Sequence, residues 1–194
     1  MKTFIFALFI AGATQANAFI IWDNTAFSTG MTHRSPSLVP ALQIRNDNGD
    51  AALLSHVAFQ GQNMGNQMFK FFLADHDGNL LNTVETGVDA TSEHTLIGVN
   101  VAWTLQAHST YFIGATMASD RVDYDYGVPS TVQNGLVGLV NGNFEGYDNP
   151  TFSSTASAEM LWRLEGTQAP EPSTLLAAGL GLAGVALWRR KNRS

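Results

Sequence analysis

The sequence predicts an all-β domain, with antiparallel strands packed as a two-sheet sandwich, and three observations carry that prediction. Residues 19–169 are rich in Val, Phe, Ile, Thr and Tyr, gathered in short runs that Gly, Asn, Asp and Pro interrupt. Several of those runs alternate apolar and polar side chains with the period of two that a half-buried strand requires. Long helical periodicity is missing. Roughly seven to nine strands in about 150 residues suffice for two antiparallel sheets that bury their apolar faces against each other.

Taken along the chain, residues 67–74 place Phe69, Phe71 and Leu73 opposite Met68, Lys70 and Phe72, and end at the turn-forming series Asp75, His76, Asp77, Gly78, Asn79. Leu80 and Leu81 resume a strand. Residues 96–105 give the clearest alternation, with Ile97, Val99, Val101, Trp103 and Leu105 on one side and Gly98, Asn100, Ala102 and Thr104 on the other. Residues 106–110 read as a hairpin connection into a strand whose apolar set is Tyr111, Ile113, Ala115 and Met117, alternating with Gly114, Thr116 and Ala118. The last strand, 158–165, directs Met160, Trp162 and Leu164 inward and Glu159, Arg163 and Glu165 outward, with Gly166 ending it. A short helix is the alternative there, because Ala, Glu, Met and Leu all tolerate one. The polar, turn-rich segments 45–50, 120–130 and 141–150 are expected at the ends of the sandwich, where loops can build a ligand site.

Both chain ends read as targeting signals. Residues 1–18 carry one charge, Lys2, then an apolar run and the small-residue series Ala16, Asn17, Ala18 that suits a signal peptidase cutting after Ala18. Retention as an anchor is the alternative, but ten apolar residues rise only about 15 Å as a helix, half the hydrocarbon thickness. Residues 173–188 form an uncharged apolar run, about 24 Å of helix, and Arg189, Arg190 and Lys191 follow it. The basic end stays cytoplasmic by the positive-inside rule, which leaves the domain outside. The organisation expected is therefore a signal peptide at 1–18, the exported domain at 19–165, a linker at 166–172, a transmembrane helix at 173–188 and a basic cytoplasmic tail at 189–194.

Between the two ends, 15 acidic residues face 5 basic ones, although the whole chain carries a formal charge of only −6. So acidic a domain repels nucleic acid. There are no cysteines, which removes disulfides, thiol nucleophiles and thiolate zinc sites. The glycine series Gly179, Gly181, Gly184 matches a dinucleotide loop in spacing alone, for it lies inside the apolar run with no preceding strand. Five histidines, at 33, 56, 76, 94 and 108, are scattered singly. No Gly-x-Ser-x-Gly elbow is present, and nothing singles out a pair of carboxylates for glycoside hydrolysis, so the expectation is a non-catalytic protein without a resident cofactor. The rival readings are a secreted carbohydrate-active enzyme and a structural or protein-interaction surface module.

Oxygen-rich turns at 47–50 and 75–79 are read as ordinary turns. Asp120, Asp123 and Asp125 are the candidate calcium ligands, because an extended segment would put Asp123 and Asp125 on one side; solvent exposure is the alternative. Tyr124, Tyr126 and Tyr147 are the candidate carbohydrate contacts, since exposed rings beside polar groups can stack on sugars.

The series Ala169, Pro170, Glu171, Pro172, Ser173, Thr174, Leu175, Leu176, the Gly/Ala/Leu run and the terminal Trp188, Arg189, Arg190, Lys191 together resemble the PEP-CTERM protein-sorting domain. The resemblance covers about 25 residues, and departs from the common form only in having Ala169 where Val often stands. It implies that Pro170, Glu171 and Pro172 are the sorting motif and Arg189, Arg190 and Lys191 the basic stop. It also implies recognition by an exosortase, a membrane enzyme of Gram-negative bacteria that make exopolysaccharide. The route implied runs through signal peptidase and the inner membrane to the cell surface, periplasm or extracellular matrix, where exopolysaccharide is an expected partner. Residues 69–75, the Asp77-Gly78 turn and residues 108–115 resemble the choice-of-anchor β domains that precede such tails, which implies a jelly-roll-like sandwich and supplies no catalytic residues.

Overall fold

The computed structural model describes residues 19–34, 39–118, 122–127, 132–155 and 159–168. The expectations for 1–18, for Pro170, Glu171 and Pro172, for 173–188, for 189–194 and for Asp120 lie outside the described residues. Fourteen strands are described, more than the sequence suggested because several are two to five residues long. In chain order they are β1 (Phe19–Asp23), β2 (Ser28–Arg34), β3 (Val39–Asn46), β4 (Ala52–Asn63), β5 (Gln67–Asp75), β6 (Leu80–Val88) and β7 (Thr95–Leu105). There follow β8 (Ser109–Met117), β9 (Val122–Gly127), β10 (Val132–Gln133), β11 (Leu136–Glu145), β12 (Thr151–Thr155), β13 (Glu159–Met160) and β14 (Trp162–Gln168). Among the described residues the only helical turn is a 3-10 turn at Thr25–Phe27, and no helix is long and apolar enough to cross a membrane.

All strand pairs are antiparallel, in two sheets. The first has the order β1-β14-β4-β9-β13, with β7 also on β4 and β2 also on β9. In the second the order is β10-β11-β3-β8-β5-β6, with β12 on β11. Their inner faces share one core. Phe59 of the first sheet stands 5.8 Å from Phe69 and 6.0 Å from Phe71 of the second, ring centre to ring centre. The period-two reading of β7 describes the strand seen, for Ile97, Trp103 and Leu105 are buried and Val99 and Val101 pack against the same core. Likewise β5 sends Phe69, Phe71 and Leu73 inward while Met68 stays exposed.

On β8 the outer face departs from expectation, because Phe112, Gly114 and Thr116 are buried as well. A bulge causes it. Between Leu139 and Gly142, β11 carries one residue more than its partner β3, which reverses the facing of everything beyond. Leu136 therefore enters the shared core, whereas Phe144 turns to the outer face and joins Ala41, Phe72, Ala74 and Phe112 in a second apolar cluster. Phe144 lies 4.6 Å from Phe72 and 5.4 Å from Phe112. A Cβ at Gly142 would stand 2.7 Å from the Phe112 ring, so the bulge brings the strand too close for any larger residue.

Three further readings are corrected. Residues 122–127, expected within a loop, form β9, because pairing with β2 and β4 supplies its backbone partners on both sides. The segment 141–150 is strand as far as Glu145 and turns only at Gly146, whose φ of 90° is in the glycine-favouring region. Gly166 does not end the last strand, which continues to Gln168 beside Ala52 of β4. The alternation of Met160, Trp162 and Leu164 is interrupted at Leu161, and buried Asn24 spans the break: its Oδ1 accepts the Trp162 N–H at 2.6 Å and its Nδ2 donates to Met160 O at 3.2 Å.

Candidate functional site

On β9 the alternation is legible once the strand is known, with Val122 and Tyr124 facing the shared core and Asp123 and Asp125 the other side. Tyr124 is fully buried, donates from its hydroxyl to Ala115 O at 3.3 Å, and stacks 4.8 Å from Phe59. It is a core residue, which corrects its reading as a sugar contact in an exposed loop. Tyr126 is half-buried over Gly30, where an added Cβ would lie 2.6 Å from its hydroxyl. Tyr147 belongs to the turn after β11, on the second sheet. There Lys70 lies 4.8 Å from the ring centre, donates to Asp148 O at 2.9 Å and pairs with Glu85 at 3.1 Å. Desolvation first, and then Glu85, push the Tyr147 hydroxyl pKa above its ordinary value. These tyrosines therefore do not assemble into one stacking platform.

Asp123 and Asp125 are each 5% exposed, so they are walled in rather than solvated. His94 closes over Asp125, its Nδ1 standing 2.8 Å from Oδ1. The segment that carries His94 is itself fastened to the end of β4, for Thr91 N–H donates to Asn63 O and Thr91 Oγ1 accepts the Asn63 N–H. Among the described residues no three His, Cys, Asp or Glu side chains come together as a metal cage. Asp123 and Asp125 are thus buried carboxyl groups, the second with His94 as its close neighbour, and the third candidate ligand, Asp120, is not among the described residues.

A polar concavity does open on the second sheet. An open cleft of about 630 Å³ is lined by Gln43, Asp75, His76, Leu81, His108, Ser109, Thr110, Tyr111 and Leu139. Two connections shape its rim. In the turn after β5, Asp75 accepts hydrogen bonds from Asp77 N at 2.9 Å, Asn79 N at 2.9 Å and Asn79 Nδ2 at 3.0 Å, while Gly78 takes φ 84°. In the turn between β7 and β8, His108 adopts φ 55° and the Tyr111 hydroxyl accepts the Gln106 N–H at 3.0 Å. Two histidines that are 32 positions apart in sequence thereby meet at one site, which no local spacing announced. The cleft offers amide, hydroxyl and imidazole groups, suited to hydrogen-bonding a polar solute. Tyr111 is nearly buried, so no ring face is presented for stacking.

The Asp75 turn carries a measurable signature. Donation by Asn79, first from its side chain and then from the backbone, holds the Asp75 carboxyl below its ordinary pKa. A lowered folded-state value contributes stability above the unfolded pKa of about 3.9, and that contribution is lost as pH falls through the folded value. Asp75→Ala should cost about 1 kcal/mol at neutral pH, the turn being solvent-exposed. In urea titrations the gap between variant and parent should narrow steadily below about pH 4.

The comparisons with known proteins bear on the end of the chain. Residues 168–191 match the PEP-CTERM protein-sorting motif, so a sorting tag of the kind handled by exosortases begins where β14 ends. No curated protein and no solved structure matches the chain.

Proposed function

We propose that this chain is an exported envelope protein, delivered through signal peptidase and processed at its tail by an exosortase-type enzyme. Its acidic β domain, on this reading, is displayed without catalytic duty at the cell surface or in the extracellular matrix. The observation that carries this is the sorting motif at 168–191, joined directly to the last strand of an all-β domain. Along the chain, β3 through β9 cross repeatedly between the two antiparallel sheets, and that path supports reading the domain as a jelly-roll-like sandwich. The cleft around His76 and His108 is the place where such a domain would hold exopolysaccharide by hydrogen bonds to its hydroxyl groups.

Glu171 supplies the test. Two prolines bracket it, removing amide donors and keeping the preceding residues extended, so its carboxylate is the group a processing enzyme can read. Glu171→Gln keeps the size and removes the charge, and tail processing in the host should fall by about tenfold, the worth of one charge-assisted hydrogen bond. Unchanged conversion on a time course would mean that the carboxylate is not recognised. For the domain, a polysaccharide array followed by product analysis should return binding without chain shortening. Specific turnover would instead move the protein into the carbohydrate-active enzymes.

A further inference from the structure

The first and last strands of the described fold are neighbours. β1 lies at the edge of the first sheet and pairs only with β14, Phe19 opposite Gly166 and Asp23 opposite Arg163. Because the pair is antiparallel, Phe19 and Gln168 lie at the same end of that sheet, on adjacent strands. The start of β4 forms the same corner, with Leu53 opposite Thr167 and Ala52 opposite Gln168.

That corner is apolar. Phe19, Ile20 and Leu53 are 50%, 45% and 45% exposed, and an apolar groove of about 390 Å³ beside them is lined in part by Leu53, Val101, Trp103 and Gly166. Two carboxylates at that end of the second sheet are engaged, Asp47 by the Arg45 guanidinium and Asp75 by its own turn. Only residues 169–172 separate Gln168 from the uncharged run that begins at Ser173. Fully extended, that tether reaches at most roughly 18 Å, while a domain of this size is roughly 38 Å across. The headgroup layer itself occupies about 6 Å of the gap on each side. A tether so short lets only one end of the domain reach the bilayer.

We infer that the corner built from the start of β1, the end of β14 and the start of β4 is a lipid-facing surface, with Phe19, Ile20 and Leu53 seated in the interfacial layer while the tail is intact. This rests on the sorting-tail reading above. The polar cleft opens toward the same end on the other sheet, because the turn at 106–108 joins the end of β7 to the start of β8. Its rim consequently faces the headgroups until the tail is processed.

The chain has no cysteine, so a single introduced thiol can be labelled without ambiguity. The full chain should be reconstituted into zwitterionic phosphatidylcholine vesicles as Leu53→Cys and, separately, Met68→Cys, each carrying an environment-sensitive fluorophore. Met68 is similarly exposed at 42% but lies at the far end of the second sheet, beside Met117 at the end of β8. The Leu53 probe should shift to the blue on insertion and be quenched by nitroxide lipid, and the Met68 probe should do neither. A chain that floats with the vesicles while both probes stay equally wet would overturn the inference and leave the tail reading intact. A chain that fails to associate with vesicles would overturn both. Phe19→Cys serves as a second reporter should Leu53→Cys misfold.

Discussion

Replacing Phe59 with alanine should lower the unfolding free energy by about 4 kcal/mol, the range seen when a large aromatic is removed from a packed core. Phe59 is fully buried, and its ring centre lies 4.8 Å from Tyr124, 5.7 Å from Trp162, 5.8 Å from Phe69 and 6.0 Å from Phe71. Those four rings come from both sheets, so no one of them can swing into the void without giving up contacts across the interface. In urea titrations the midpoint should fall while the slope stays constant, since the native fold and its exposed area are kept. A loss below about 1 kcal/mol would mean that the two sheets do not press on this ring.

The second large effect concerns Gly166. A Cβ there would stand 2.9 Å from Leu53 C and 3.0 Å from Leu54 Cα, and closer still to the Leu53 carbonyl oxygen. Every obstacle is backbone of β4, which cannot rotate away as a side chain would. Gly166→Ala and Gly166→Val should therefore both cost about 3 kcal/mol, the first added carbon doing most of the damage. Amide exchange should accelerate at Leu53 and Thr167, where β4 and β14 would be pushed apart. Gly87→Ala is the matched control, because a Cβ there meets only Met68 Sδ at 3.6 Å, and it should be nearly neutral. Since β14 leads directly into the sorting motif, Gly166 variants should also loosen the base from which the tail departs.

Strand periodicity was legible wherever one face is buried and the other wet, as in β7, because the alternation is then written into the residue types. It failed at β9. The Asp, Tyr and Gly of 122–127 look like turn chemistry, and only pairing with β2 and β4, far away in sequence, makes them strand. The β11 bulge was equally hidden, since nothing local to 139–142 says that one residue will be left over against β3. The roles of the buried asparagines were also missed. Asn46 donates to Leu105 O and Asp50 O, Asn63 donates to Val88 O and Asp89 O, and Asn24 bridges Met160 and Trp162. In a sequence such residues read as loop formers, whereas here they fasten loops and strand ends to the core. Of the cleft, the turn at 75–79 was recognised, whereas 106–110, expected as a hairpin connection, is corrected to a crossover from β7 in the first sheet to β8 in the second, and the meeting of the two turns depends on β5 and β8 lying side by side with Asp75 opposite Tyr111. The sorting motif needed no fold at all, because its match is to a contiguous run of residues, 168–191.

The central claim is export and tail processing, and the intact mass of the protein recovered from fractionated host cells tests it most directly. The account predicts a product in the envelope or extracellular fraction whose mass lacks residues 1–18 and ends near Pro170, Glu171 and Pro172. A soluble cytoplasmic protein with the mass of the whole 194-residue chain would contradict it.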